Sequence, residues 1–120
     1  MSRTATRVRV VGPRGEVIAN VDEARTPWSR MVGLLGRSRL DVGDGLLLSP
    51  AWSIHTWFMR IVIDVVFIDD NGRVLRVYPE LPPWRLVSGT RRARTVLEFG
   101  VGTLAQSPIS PGDAIRLERG

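Results

Sequence analysis

The chain has no cysteine, which excludes disulfides, thiolate nucleophiles and Cys-ligated metal centres and leaves the redox compartment open. It has no lysine either: all 17 basic residues are arginine, so every cation is a planar fork able to stack or to grip carboxylate and phosphate bidentately. The replacement itself reads as genome composition. Histidine occurs once, at His55. No run reaches the roughly 20 apolar residues of a membrane-spanning helix, because the longest, Ile61 to Ile68, is interrupted by Asp64. Arg3, Arg7, Arg9 and Arg14 break up the first residues, so the apolar segment of a secretory signal is missing and a cytoplasmic location with no membrane partner is expected. Glycine loops of the P-loop or dinucleotide type are absent, and so is the Gly-x-Ser-x-Gly elbow of a serine hydrolase.

What is present suits one self-sufficient domain. A chain of 120 residues buries roughly 65% of its unfolded surface on folding. The expected organisation is a frayed tail over residues 1–6 and a single mainly β domain over 7–120. The net charge of +5 permits binding of anions or nucleic acid. Two stretches carry a local excess of arginine: Arg3 to Arg14, ahead of Glu16, and Arg85 to Arg94, between Glu80 and Glu98.

Periodicity predicts mostly strands. Arg7 to Val11 alternates polar and apolar residues, Gly12-Pro13-Arg14-Gly15 is a turn, and Glu16 to Val21 is the return strand of a hairpin. One helix is predicted over Pro27 to Leu35: Thr26 is the N-cap, Pro27 fits the first helical position, and Trp28, Met31, Val32 and Leu35 make one apolar face. Further strands are predicted at Leu46–Leu48, Ile54–Met59, Asp64–Asp69, Val74–Tyr78, Thr95–Phe99 and Ala114–Leu117. Asn71-Gly72 between two apolar runs is a strong hairpin signal. Pro79, Pro82 and Pro83 predict an irregular loop, and Gly102 to Ser107 a short helical turn. The fold class is therefore mainly β (α+β), a small β-sandwich or barrel-like sheet with one packed α-helix.

The informative segment runs from Ser53 to Phe67. As a strand it would place His55, Trp57 and Met59 on one face. Asp64 lies among Ile63, Val65 and Val66, where an unpaired carboxylate costs several kcal/mol, so it must be paired, hydrogen-bonded or at the surface. Two readings stand side by side. In one, His55, Arg60 and Asp64 form a polar pocket beside Trp57. In the other, Asp64 accepts backbone N–H bonds at a bend and Arg60 neutralises it. Zinc-type ligand spacing is missing, the calcium-loop pattern fails after Asp69-Asp70-Asn71-Gly72, and no metal or cofactor is indicated. A second cluster, Pro82-Pro83-Trp84-Arg85 followed by Arg91, Arg92 and Arg94, places an aromatic beside cations; it suits base stacking or a loop pinned by Trp84.

The run IHTWFMRIVIDVVFIDDNGRV, the Pro-Trp-Arg loop, the VLEF strand, a Gly-Thr segment and the closing PGDAIRLE together resemble the domain-of-unknown-function 192 family, over roughly residues 15 to 118. The upstream TPWSRMVGLLGR and GLLL segments fit as well. The resemblance implies a small, mainly β domain without an established biochemical function. His55, Thr56, Phe58, Met59, Arg60, Ile63, Asp64, Val65 and Phe67 match the motif positions. Ser53 stands where the family often has cysteine, and Val62 where it often has proline.

The leading expectation is a non-catalytic binding or accessory domain. Its candidate ligand-binding residues are His55, Trp57, Met59, Arg60, Asp64, Trp84 and Arg85, and its ligand a small anionic or planar molecule or an acidic peptide. The alternatives are a hydrolase-like enzyme using His55 as base oriented by Asp64, and an arginine-dependent nucleic-acid binder, the less favoured partner.

Overall fold

The computed structural model describes residues 6–24, 39–57 and 59–119. The predicted helix over Pro27–Leu35 lies outside the described residues, as does Phe58 of the motif. Among the described residues the fold is mainly β, with nine strands and one short helix.

The first hairpin forms where the alternation predicts it. β1 (Thr6–Val11) pairs antiparallel with β2 (Val17–Ala24). Their turn is closed by Gly12 N–H donating to the Glu16 carbonyl at 2.8 Å, and Gly15 adopts φ +83°, a conformation open to glycine at little cost. β2 then pairs in parallel with β3 (Asp44–Leu48), which requires a crossover connection between them.

The centre of the sheet is built by β5 (Ile63–Ile68) and β8 (Thr95–Gly100), every residue of which is buried. Strands covered on both faces read as unbroken apolar runs instead of alternating ones, and that is why Ile63 to Ile68 looks continuous in sequence. β6 (Val74–Leu81) returns beside β5 through the Asn-Gly turn, where Gly72 has φ +81° and the Asp69 carboxylate accepts from the amides of Asn71 at 2.8 Å and Arg73 at 2.9 Å. After β8 the chain makes helix α1 (Thr103–Gln106), within the predicted helical turn, and then β9 (Arg116–Arg119) beside β1.

The sheet order is β6-β5-β8-β3-β2-β1-β9. It curls until its ends touch: Ile115 N–H donates to the Gly72 carbonyl and Val74 N–H to the Asp113 carbonyl, each at 2.8 Å. The result is a half-barrel with two apolar layers. The inner layer holds Val8, Val21, Leu47, Val66, Leu97, Phe99 and Leu104. The outer face of the central strands contributes Leu46, Leu48, Val65, Phe67 and Val96 to the second layer, which is covered by Ile54 and Met59.

That cover contains a two-stranded ribbon, β4 (Ser53–His55) antiparallel to β7 (Leu86–Ser88). Here the structure departs from the sequence reading. The predicted strand Ile54–Met59 stops at His55, because the Thr56 carbonyl accepts from Met59 N–H at 3.3 Å and turns the chain. Met59 therefore swings inward to 8% exposure while Trp57 stays outside, so the two do not share a strand face with His55. β6 also runs on through Pro79 as far as Leu81, three residues past its predicted end at Tyr78.

Gly45 in β3 passes so close to β8 that a Cβ there would collide with the Glu98 carbonyl oxygen. Gly45→Ala is expected to lower the unfolding free energy by about 3 kcal/mol, seen as a lower urea midpoint at unchanged slope.

Candidate functional site

Asp64 is 1% exposed and faces the inner layer of the half-barrel. Its partners are backbone amides. Oδ1 accepts from Glu80 N–H at 2.8 Å, and Oδ2 accepts from Gly102 N–H at 3.2 Å and Leu104 N–H at 2.9 Å. Gly102 is the N-cap of α1, so Asp64 caps from a neighbouring strand the amides that the first turn of a helix leaves without intrahelical partners. Among the described residues no hydrogen bond or ion pair joins Asp64 to His55 or Arg60. The polar cluster of His55, Arg60 and Asp64 is thus not assembled through direct contacts in this structure.

Thr56 is the second buried polar centre, at 0% exposure. Its N–H donates to the Arg85 carbonyl at 2.8 Å and its carbonyl accepts from Trp84 N–H at 3.0 Å. Its hydroxyl donates to the Pro82 carbonyl at 2.7 Å and accepts from Arg85 N–H at 2.9 Å. One residue of the turn after β4 thereby holds the whole Pro82–Arg85 segment. Sequence reasoning matched Thr56 to the motif but did not count it among the candidate site residues, although a threonine in this largely apolar segment was a visible signal.

These bonds gather side chains at the surface. His55 stacks on Trp57 with ring centroids 4.8 Å apart. His55 lies opposite Leu86 in the ribbon, and both are exposed, whereas the adjacent pair Ile54 and Val87 packs against the second apolar layer. Trp84 and Arg85 enter the same neighbourhood through Thr56. Trp57 is 44% exposed, Trp84 59% and Leu86 68%, with Trp52 at 62% just before β4. Leu86, Trp52 and the ribbon itself were absent from the sequence expectation, because β7 is only three residues long and follows a proline loop.

Arginines border this face. Arg60 follows the turn, the Arg85 guanidinium donates to the Pro83 and Trp84 carbonyls at 3.4 and 3.5 Å, and Arg76 reaches the Ser88 carbonyl at 3.3 Å. None of the three has a carboxylate partner among the described residues. Arg94, by contrast, is paired with Asp70 at 3.1 Å. A hydrogen bond to Asp41 raises the Arg39 guanidinium above its already high value, leaving its charge unchanged. Among the described residues no three His, Asp or Glu side chains converge as they would on a metal ion. No described helix is long and apolar enough to cross a membrane.

The DUF192 family model, described as "Uncharacterized ACR, COG1430", matches residues 9–117. The chain belongs to the DUF192 family. Its curated relatives include the UPF0127 protein PH1112 of Pyrococcus horikoshii, 41% identical over 64 residues, which is 53% of this chain and 55% of that protein. The UPF0127 protein PF1050 of Pyrococcus furiosus is 33% identical over 67 residues, or 56% of this chain and 57% of that protein. The matched stretch thus spans little more than half the length of these relatives. Two crystal structures share the fold. A Sinorhizobium meliloti protein, provisionally described as a transcription regulator, superposes with a TM-score of 0.79 at 23% identity over 98% of this chain and 96% of its own. A Novosphingobium aromaticivorans protein of unknown function gives 0.78 at 24% identity over 93% of this chain and 84% of its own. In this DUF192 chain the motif's Asp64 and Thr56 face inward onto backbone groups, while His55, Trp57 and Arg60 face out.

Asp64→Ala would leave the amides of Glu80, Gly102 and Leu104 without their acceptor. It is expected to cost about 3–5 kcal/mol in chemical denaturation. Arg60→Ala is expected to cost less than about 0.5 kcal/mol; a loss of several kcal/mol there would show that Arg60, and not the backbone, compensates the buried carboxylate.

Proposed function

We propose that this DUF192 chain is a non-catalytic binding domain, and that the outer face of the β4–β7 ribbon receives an acidic, partly apolar segment of another protein. One observation carries the reading: Trp52, Trp57 and Trp84, the three described tryptophans, all flank the ribbon and all stand in solvent. Tryptophan is normally well buried, and a contiguous exposed apolar surface marks an interaction site. Exposed Trp and Arg with few lysines is the composition of protein-interface hot spots.

The chemistry favours an acidic partner. Arg60, Arg76 and Arg85 bring three cations without carboxylate partners among the described residues, against Glu80 as the acidic group at the adjoining end of β6. A guanidinium grips a carboxylate bidentately, and the indoles supply apolar contact beside it. A polynucleotide fits less well, because affinity for a phosphate backbone comes from a longer track of cations and Leu86 at the centre of this face offers it nothing. Within this reading His55, Trp57, Arg60, Trp84 and Arg85 touch the partner, while Met59 and Asp64 support the face from beneath.

The test titrates a short peptide alternating glutamate and valine, followed by tryptophan emission. Saturable binding is expected, weakening with added salt, and Leu86→Asp or Arg85→Glu should weaken it by about tenfold or more. Absence of binding at millimolar peptide would overturn the acidic partner. Tighter, steeply salt-dependent binding of oligothymidylate would replace it with a nucleic-acid reading.

A further inference from the structure

The connection from β7 to β8 contains Arg91, Arg92 and Arg94, and the three are not placed alike. The Thr90 carbonyl accepts from Ala93 N–H at 3.0 Å, so Arg91 and Arg92 are the two central residues of a tight turn. The turn is fixed to the body on both sides. Gly89 N–H donates to the Trp52 carbonyl at 2.9 Å; Arg94 N–H donates to the Ile68 carbonyl at 2.9 Å, and its carbonyl accepts from Ala51 N–H at 2.8 Å. A Cβ on Gly89 would collide with the Ala93 side chain and the Phe67 ring, so the turn packs directly on the second apolar layer.

On this rigid base the turn collects donors that nothing in the described chain uses. Arg94 is committed to Asp70 at 3.1 Å. Arg91 and Arg92 are exposed, and neither has a carboxylate partner among the described residues. The Thr90 hydroxyl oxygen accepts from Arg92 N–H at 3.2 Å, which leaves its O–H to donate elsewhere. Neither that O–H nor the Arg91 N–H has an acceptor among the described residues. Two guanidinium forks, a hydroxyl and an amide therefore stand on one short turn. They exceed what the two oxygens of a carboxylate can accept, whereas a phosphoryl group presents three strong acceptor oxygens and nearly two negative charges.

The space beside the turn narrows the ligand further. Thr90, Arg91 and Arg92 line an open cavity of about 650 Å³ together with Leu75 of β6, and no described carboxylate borders it. A cavity of about 300 Å³ also shares Arg91 and Arg92, but there Asp69 and Asp70 join the lining. A polyanion running through both would meet those two acids; a ligand with one anionic head fits the acid-free cavity alone. We propose that the Thr90–Arg92 turn binds a small organic phosphate monoester, its phosphoryl group gripped by Arg91, Arg92 and Thr90 and its apolar part lying against Leu75. This site shares no residue with the ribbon face and does not rest on the binding reading above.

The test follows the backbone amides of Arg91 and Arg92 by NMR while the full chain is titrated with inorganic phosphate, phenyl phosphate and benzoate at constant ionic strength. Saturable shifts confined to this turn are expected, with phenyl phosphate binding more tightly than either of the others. Arg91→Lys and Arg92→Lys keep the charge and lose the fork, so each should weaken phenyl phosphate by about tenfold or more at an unchanged denaturation midpoint. Leu75→Ala should bring phenyl phosphate down to the affinity of inorganic phosphate. Shifts spread over many arginines, or lysine variants that bind as well as the parent, would show a diffuse charge field and overturn the site. Equal affinity for phenyl phosphate and benzoate would overturn phosphoryl recognition, and equal affinity for phenyl phosphate and inorganic phosphate would overturn the contact with Leu75. Tighter binding of oligothymidylate at the same amides would replace the small ligand with a polynucleotide.

Discussion

A carboxylate buried in the wall of a half-barrel must be compensated, and the way Asp64 is compensated shapes the molecule around it. Removing an ion from water costs several kcal/mol even after relaxation. Here the charge is met by three backbone N–H groups from two distant segments, the end of β6 and the start of α1. Such charge-assisted bonds are stronger than neutral ones, and each ties a separate piece of chain to β5. The interaction therefore works in both directions. The fold supplies donors to Asp64, and Asp64 satisfies amides that a helix start and a left-handed residue would otherwise leave unpaired.

The second layer depends on Thr56 in a similar way. Strands β4 and β7 are three residues each and would not hold as an isolated hairpin. They stay in place because Ile54 and Val87 pack on the outer face of β5 and β8, and because Thr56 fixes the loop that leads into β7. The ribbon thus has one face made by core packing and one face left to the solvent, and the exposed face collects His55, Trp57 and Leu86. The segment that encloses the core and the segment that displays the aromatics are the same few residues.

The far side of the sheet solves a different problem. β9 is an edge strand, a template for unwanted pairing with other chains. It is short and carries Arg116, Glu118 and Arg119, with Arg9 to Glu118 at 3.6 Å and Arg119 to Glu23 at 3.1 Å linking it across the surface of β1 and β2. Exposed pairs of this kind add little stability, but alternating charge on an edge discourages association. Exposed aromatic side chains gather around the ribbon, and charge is placed at the far edge of the sheet.

The sequence by itself determined what is settled within a few residues. The mainly β class, the β1–β2 hairpin, the Asn71-Gly72 turn, the short helical turn after Gly102 and the family resemblance were all legible, because periodicity and turn chemistry act over short spans. So was the requirement that Asp64 be compensated. Only the tertiary structure decided by what: its donors lie 16, 38 and 40 residues away, and no local pattern names a backbone amide at that distance. The same holds for Thr56, whose partner Arg85 is 29 residues off, and for β4, which ends at His55 because of a turn that alternation alone does not show. The exposure of Trp57 and Trp84 is tertiary as well. Hydrophobicity argues for burying an indole, and nothing local in the sequence marks these two as the exposed ones.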